Sequence, residues 1–209
     1  MTVKQSETTL WCKRKDPIRA VFAACLALVI LILFLILLIW LILRPTSPQF
    51  TLQDVTVYQF KVTSPNYLTS SIQVTISSRN PNDRIGIYYD KLDIFATYRD
   101  QQITLPVFLL PTYEGHKDIT VWSPFISGNS VPIAPYLATA LNEDQNAGFV
   151  LVNIKVLGKL RWRVGTWISG HYGINVNCPA YMRFGNPGSG AKIVAGSKYT
   201  LSQTCTTDI

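Results

Sequence analysis

A chain of 209 residues with 19 Lys and Arg against 12 Asp and Glu carries a formal charge of +7, and 48% of it is hydrophobic. Its only histidines, His116 and His171, stand 55 positions apart and no Cys-x-x-Cys pair occurs, so the sequence offers no basis for a multi-histidine or zinc-ribbon metal site. It also lacks a Gly-x-Ser-x-Gly elbow, a phosphate loop and a dinucleotide fingerprint; the chain is not expected to be an enzyme, and no cofactor is expected.

Residues 1–19 form a short basic tail, with Lys4, Lys13, Arg14, Lys15 and Arg19 against Glu7 and Asp16 and no apolar period from which to build a core. Cys12, beside Lys13-Arg14-Lys15, is a candidate palmitoylation site, the alternative being a plain reduced thiol. Residues 20–43 then run without a charged side chain. As a helix these 24 residues cover about 36 Å, enough for a hydrocarbon core of about 30 Å. A cleaved signal would have a shorter apolar region and small residues at its end, whereas Arg44-Pro45-Thr46-Ser47-Pro48 follows here. The sequence therefore predicts an uncleaved single-pass signal anchor, with Cys25 as a small apolar residue within it. The cations before the span predict a cytoplasmic N-terminus and an exported C-terminal bulk, a topology that excludes nucleic acid as a partner.

Residues 44–49 contain two prolines and predict an extended spacer. Residues 50–209 suffice for one domain with a sizeable core. Their pattern is period two: Ile72, Val74 and Ile76 alternate with polar residues, as do Leu92, Ile94, Ala96 and Tyr98. Asp100-Gln101-Gln102 marks a hairpin into Ile103, Leu105 and Val107. Further strands are predicted at 119–122, 149–157, 160–164, 168–176 and 198–202, so the fold class is mainly β, an antiparallel β-sandwich. One short helix is predicted over 132–141, where Ile133, Leu137 and Leu141 recur at spacing four, and 185–197 reads as a loop.

An oxidising compartment permits a Cys178–Cys205 disulfide, whose loop would contribute roughly 3.5 kcal/mol in the chain-entropy model. Glu114-Gly115-His116-Lys117-Asp118 reads as a solvated turn rather than an acid–base set. Lys155, Lys159, Arg161 and Arg163 lie in strand segments, the last three alternating with Leu160, Trp162 and Val164. They form either an ordinary wet face or a stripe meeting anionic headgroups or acidic wall polysaccharide.

The most specific stretch is Asn80-Pro81-Asn82-Asp83-Arg84-Ile85-Gly86-Ile87-Tyr88-Tyr89-Asp90, a turn followed by a strand on which Ile85, Ile87 and Tyr89 share one face. It resembles the plant NHL family, the harpin-induced-like relatives of the non-race-specific disease resistance protein, whose anchored domain is of the late-embryogenesis-abundant type-two (WHy) group. Tyr113-Glu114-Gly115-His116-Lys117 resembles the family's Gly-His-Lys turn, and LRWRVGTWISGHYGINVNC from Leu160 to Cys178 resembles its closing strands. The resemblance implies a fibronectin-like or immunoglobulin-like sandwich with one helix, residence in the plasma membrane and, in some members, concentration at plasmodesmata. It also implies a non-enzymatic role in pathogen defence, the hypersensitive response and stress. The chain departs from many relatives in having no Asn-x-Ser/Thr sequon. Membrane lipid and other plasma-membrane or wall-side proteins are the expected partners, with a second copy of the chain as a further candidate. A lipid-binding or lipid-transfer domain is the alternative, and a solvent-open groove lined by Phe149, Leu157 and Trp162 would favour it.

Overall fold

The computed structural model describes residues 17–42, 45–183 and 197–209. It divides into two units between Arg44 and Pro45. The first contains helix α1 (Pro17–Ile42), which starts three residues before the predicted span because Pro17 suits the opening turn of a helix. Side chains from Arg19 to Leu38 are exposed, and this stretch has a mean hydropathy of 3.4, so α1 is long and apolar enough to cross a membrane.

The second unit is an antiparallel sandwich. Its strands are β1 (Gln49–Thr63), β2 (Tyr67–Arg79), β3 (Ile85–Tyr98), β4 (Gln101–Gln102), β5 (Val107–Leu109), β6 (Thr112–Glu114), β7 (Ile119–Trp122), β8 (Phe125–Pro132), β9 (Phe149–Val164), β10 (Trp167–Ile168), β11 (Tyr172–Arg183), β12 (Ser197–Thr204) and β13 (Thr206–Asp208); helix α2 (Pro135–Asn146) lies between β8 and β9. One sheet has the order β12-β1-β2, with β7 and β8 sharing the far edge of β2. The other has the order β13-β11-β9-β3, with β4, β5 and β6 along the free edge of β3 and β10 folded onto β9. Alternation drives Val55, Val57, Ile72, Val74 and Ile76 inward from the first sheet. Ile87, Ile94, Val152, Ile154 and Val156 from the second complete one continuous core.

Two long strands replace pairs of shorter predicted ones. The polar step Asp90-Lys91 is a register shift within β3, not a turn, and Gly158 of β9 lies against it so closely that a Cβ there would collide with the Lys91 carbonyl. The predicted hairpin after Tyr98 forms, with Arg99 and Asp100 at φ 45° and 66°. It is then interrupted, because Ile103 accepts a hydrogen bond from Ser70 Oγ at 3.1 Å and Leu105 donates to Ser127 O at 2.9 Å, tying this segment to the other sheet. Helix α2 begins three residues later than predicted, since the Ile133 N–H is engaged by Asn66 O. It also runs through Asn142-Glu143-Asp144 instead of stopping there, and Gly148 at φ 85° follows its end. Ile133, Leu137 and Leu141 are buried. The predicted 185–197 loop falls almost wholly outside the described residues.

Cys205 is the single residue between β12 in one sheet and β13 in the other. It is bonded to Cys178 of β11, with Cα atoms 4.4 Å apart, and its N–H donates to Phe50 O at 3.0 Å. The disulfide thus fixes the point at which the chain crosses between layers.

Candidate functional site

The Asn80–Asp90 motif is built around the Asn80 side chain. Its Nδ2 donates to Ile85 O at 2.7 Å and Gly115 O at 2.8 Å, and its Oδ1 accepts from the Asn82 backbone at 3.0 Å and from Asn82 Nδ2 at 2.9 Å. A buried amide needs such saturation, and here it joins the turn after β2 to the turn after β6. Asn82 in turn holds the entering chain: Thr46 N–H donates to Asn82 Oδ1 at 2.9 Å and Asn82 Nδ2 to Thr46 O at 2.8 Å. The predicted spacer is therefore clamped at Thr46, and Pro48 is buried. Lys117 Nζ reaches Pro81 O at 2.6 Å and Asp83 at 3.1 Å, while Arg84 is exposed.

Beneath the turn lies an acid that a local reading places in solvent. Glu114 is fully buried, not part of a wet turn. Tyr89 Oη and Ser78 Oγ lie 2.8 and 3.0 Å from its Oε2 and 2.7 Å from each other. Glu114 Oε1 has no hydrogen-bond partner. The nearby Asn80 N–H favours the charged form, but it donates to Asp118 O. Burial raises the Glu114 carboxyl above the usual carboxylate range, against the opposing pull of the Tyr89 and Ser78 hydrogen bonds. Tyr89 is pushed well above the ordinary phenol value by burial and then by the Glu114 charge.

On the outer face of the β3–β9 sheet the same motif presents an aromatic and basic cluster. Gly86 leaves space for Tyr113, whose hydroxyl a Cβ at residue 86 would strike, and the Tyr88 and Tyr113 rings stand 4.5 Å apart. Arg163 lies 5.4 Å from the Tyr113 centroid and 6.0 Å from that of Tyr88, with Nη1 donating to Tyr88 Oη and Nε to Gly165 O, both at 3.0 Å. Arg161 grips Asp90 in two-pronged fashion, Nε to Oδ2 at 2.7 Å and Nη2 to Oδ1 at 2.5 Å, and His171 stands 3.5 Å from Asp90 Oδ2. The Arg161 hydrogen bond pulls the Asp90 carboxyl below its ordinary value.

The four cations of the basic stripe do occupy the outer face of β9, with different surroundings. Lys155 pairs with Asp100 at 3.4 Å, Arg161 with Asp90, and Arg163 lies among tyrosines, while Lys159 is exposed. Phe149 and Leu157 face outward, whereas Trp162 is buried in the core, so the three do not line one groove. Among the described residues no three His, Cys, Asp or Glu side chains converge as metal ligands. Cys12 and the tail before Pro17 lie outside the described residues. Sequence reasoning passed over Ser78, read Glu114 as solvated and met Tyr113 only as part of the family's turn. The signal for Ser78 and Glu114 is Tyr89, since a phenol on the strand face it shares with Ile85 and Ile87 is buried and needs a partner.

Residues 75–179 of this two-sheet sandwich match the late embryogenesis abundant protein family (LEA_2). Over 201 residues the chain is 50% identical to NDR1/HIN1-like protein 1 of Arabidopsis thaliana, covering 94% of this chain and 95% of that one. It is also 50% identical over 182 residues to NDR1/HIN1-like protein 12 of the same plant (87% of each chain), and 42% over 156 residues to NDR1/HIN1-like protein 26 (74% and 73%). The chain belongs to the NDR1/HIN1-like family, a plant family of defence and stress.

Proposed function

We propose that this is a non-enzymatic, single-pass plasma-membrane protein whose N-terminus is cytoplasmic and whose sandwich, outside the cell, acts by binding surface or wall-side proteins during pathogen defence, the hypersensitive response and stress. The observation that carries the reading is the Tyr88–Tyr113–Arg163 cluster. Tyr and Arg are the side chains that most often anchor protein interfaces, and here they are pre-ordered on a sheet face by stacking and hydrogen bonds, which lowers the entropy lost on binding. Glu114, the buried acid, is engaged by Tyr89 and Ser78 inside the fold, which supports a structural rather than chemical role for it.

The test is proximity labelling in intact plant tissue with the labelling enzyme fused after Ile209, comparing the wild type with a Tyr113→Ala/Arg163→Ala variant. Surface proteins enriched by the wild type and lost from the variant are expected. An identical set from both, or copurifying lipid in place of protein, overturns the proposal.

A further inference from the structure

The end of the sandwich at which the chain enters is defined by strand register. Gln49 of β1 and Ile119 of β7 both pair with Arg79, and Ile85 of β3 pairs with Val164 of β9. The clamped Thr46, the Asn80–Arg84 turn and the β9–β10 hairpin therefore share one end. That hairpin is apolar where a hairpin is usually polar: Trp167 is 63% exposed and Ile168 42%, and among the described residues no ring pairs with Trp167. Its base is firm, since Ser169 N–H donates to Trp162 O and Trp162 N–H to Ser169 Oγ, each at 2.9 Å. Gly165, at φ 58° with open space around it, makes the turn. The indole is thus presented on a rigid support, not on a loose loop.

Chain length restricts what this end can meet. Helix α1 ends at Ile42 and Thr46 is held by Asn82, so three residues separate the span from the clamp and the four steps between them reach at most about 14 Å. Each headgroup layer of a bilayer is about 5–8 Å deep, within that reach, and an amphipathic indole is most favourably placed there. The charges at this end do not oppose such contact: Asp83 is paired with Lys117, and Arg84 is exposed without a carboxylate partner among the described residues, free for a lipid phosphate.

We infer that the β9–β10 hairpin inserts Trp167 and Ile168 at the headgroup level of a phospholipid bilayer. This rests on the anchored reading above. The full chain is reconstituted in phosphatidylcholine vesicles, and Trp167 emission is obtained as the difference between the wild type and Trp167→Phe. Lipid brominated near the glycerol is expected to quench that difference emission, and aqueous iodide is expected to leave it largely unaffected. Quenching by iodide with no effect of brominated lipid overturns the docking while leaving the anchor standing. Protection from both quenchers also overturns it, since protein then covers the ring. Release of the chain from the same vesicles by alkaline wash fails the anchored reading, and the docking with it.

Discussion

Replacing Glu114 by Gln puts a neutral amide into a buried site that disfavours a charge. Glu114, Tyr89 and Ser78 present three oxygen contacts of 2.7 to 3.0 Å, and Glu114 Oε1 is buried without a partner. Because burial raises its folded-state pKa above the unfolded value, Glu114 contributes stability that is fully present below the unfolded carboxyl pKa of about 4.3 and is lost as pH rises through the folded pKa. Glu114→Gln keeps the shape and supplies a neutral donor and acceptor. The variant should therefore lose the wild type's decline in stability over that window and exceed the wild type above it. Glu114→Ala, by contrast, leaves Ser78 and Tyr89 bonded only to each other, with one buried hydroxyl donor unmet at about 1–3 kcal/mol, and a loss of about 2 kcal/mol corresponds to roughly 4–8 °C in a domain of this size. Thermal unfolding of the full chain in detergent, followed by tryptophan emission from about pH 4 to pH 8, reads all three proteins. Parallel curves for the wild type and Glu114→Gln would refute the reasoning, because the carboxyl would then titrate alike folded and unfolded.

Arg161→Gln should return the Asp90 carboxyl to the ordinary carboxylate range in a carbon-13 NMR titration; with Arg161 present, the stability this pair contributes is held above the ordinary Asp pKa and lost as pH falls through the lowered one. Gly158→Ala should cost about 3 kcal/mol or more and deplete folded protein in expression assays, as the new Cβ meets backbone. Cys178→Ala together with Cys205→Ala should cost roughly 3.5 kcal/mol, and a reductant should lower the melting temperature of the wild type but not of the variant. Asn82→Ala should free Thr46, read as faster hydrogen exchange of the Thr46 amide with little change at the centre of β9.

The elements whose signal is local were legible. Apolar length marked α1, period two marked β2, β3 and β9, and Leu137 and Leu141 at spacing four marked α2. What escaped depends on partners far apart in sequence. Glu114 reads as wet because Gly115, His116, Lys117 and Asp118 are exposed or half-buried, yet Ser78 and Tyr89, 36 and 25 residues earlier, draw it inside. Arg161 reads as a free cation until Asp90, 71 residues away, is placed beside it by the β3–β9 register. Gly158 looks like a strand break because its reason for being glycine, the Lys91 carbonyl, lies across a bulge that no local pattern encodes.

In the proposed topology α1 stays in the bilayer and delivers the sandwich to the far side. Protease added to sealed, right-side-out plasma-membrane vesicles tests it most directly, with one tag before Met1 and another after Ile209. Digestion of the C-terminal tag with the N-terminal tag spared is expected; a spared C-terminal tag with a digested N-terminal one overturns the topology.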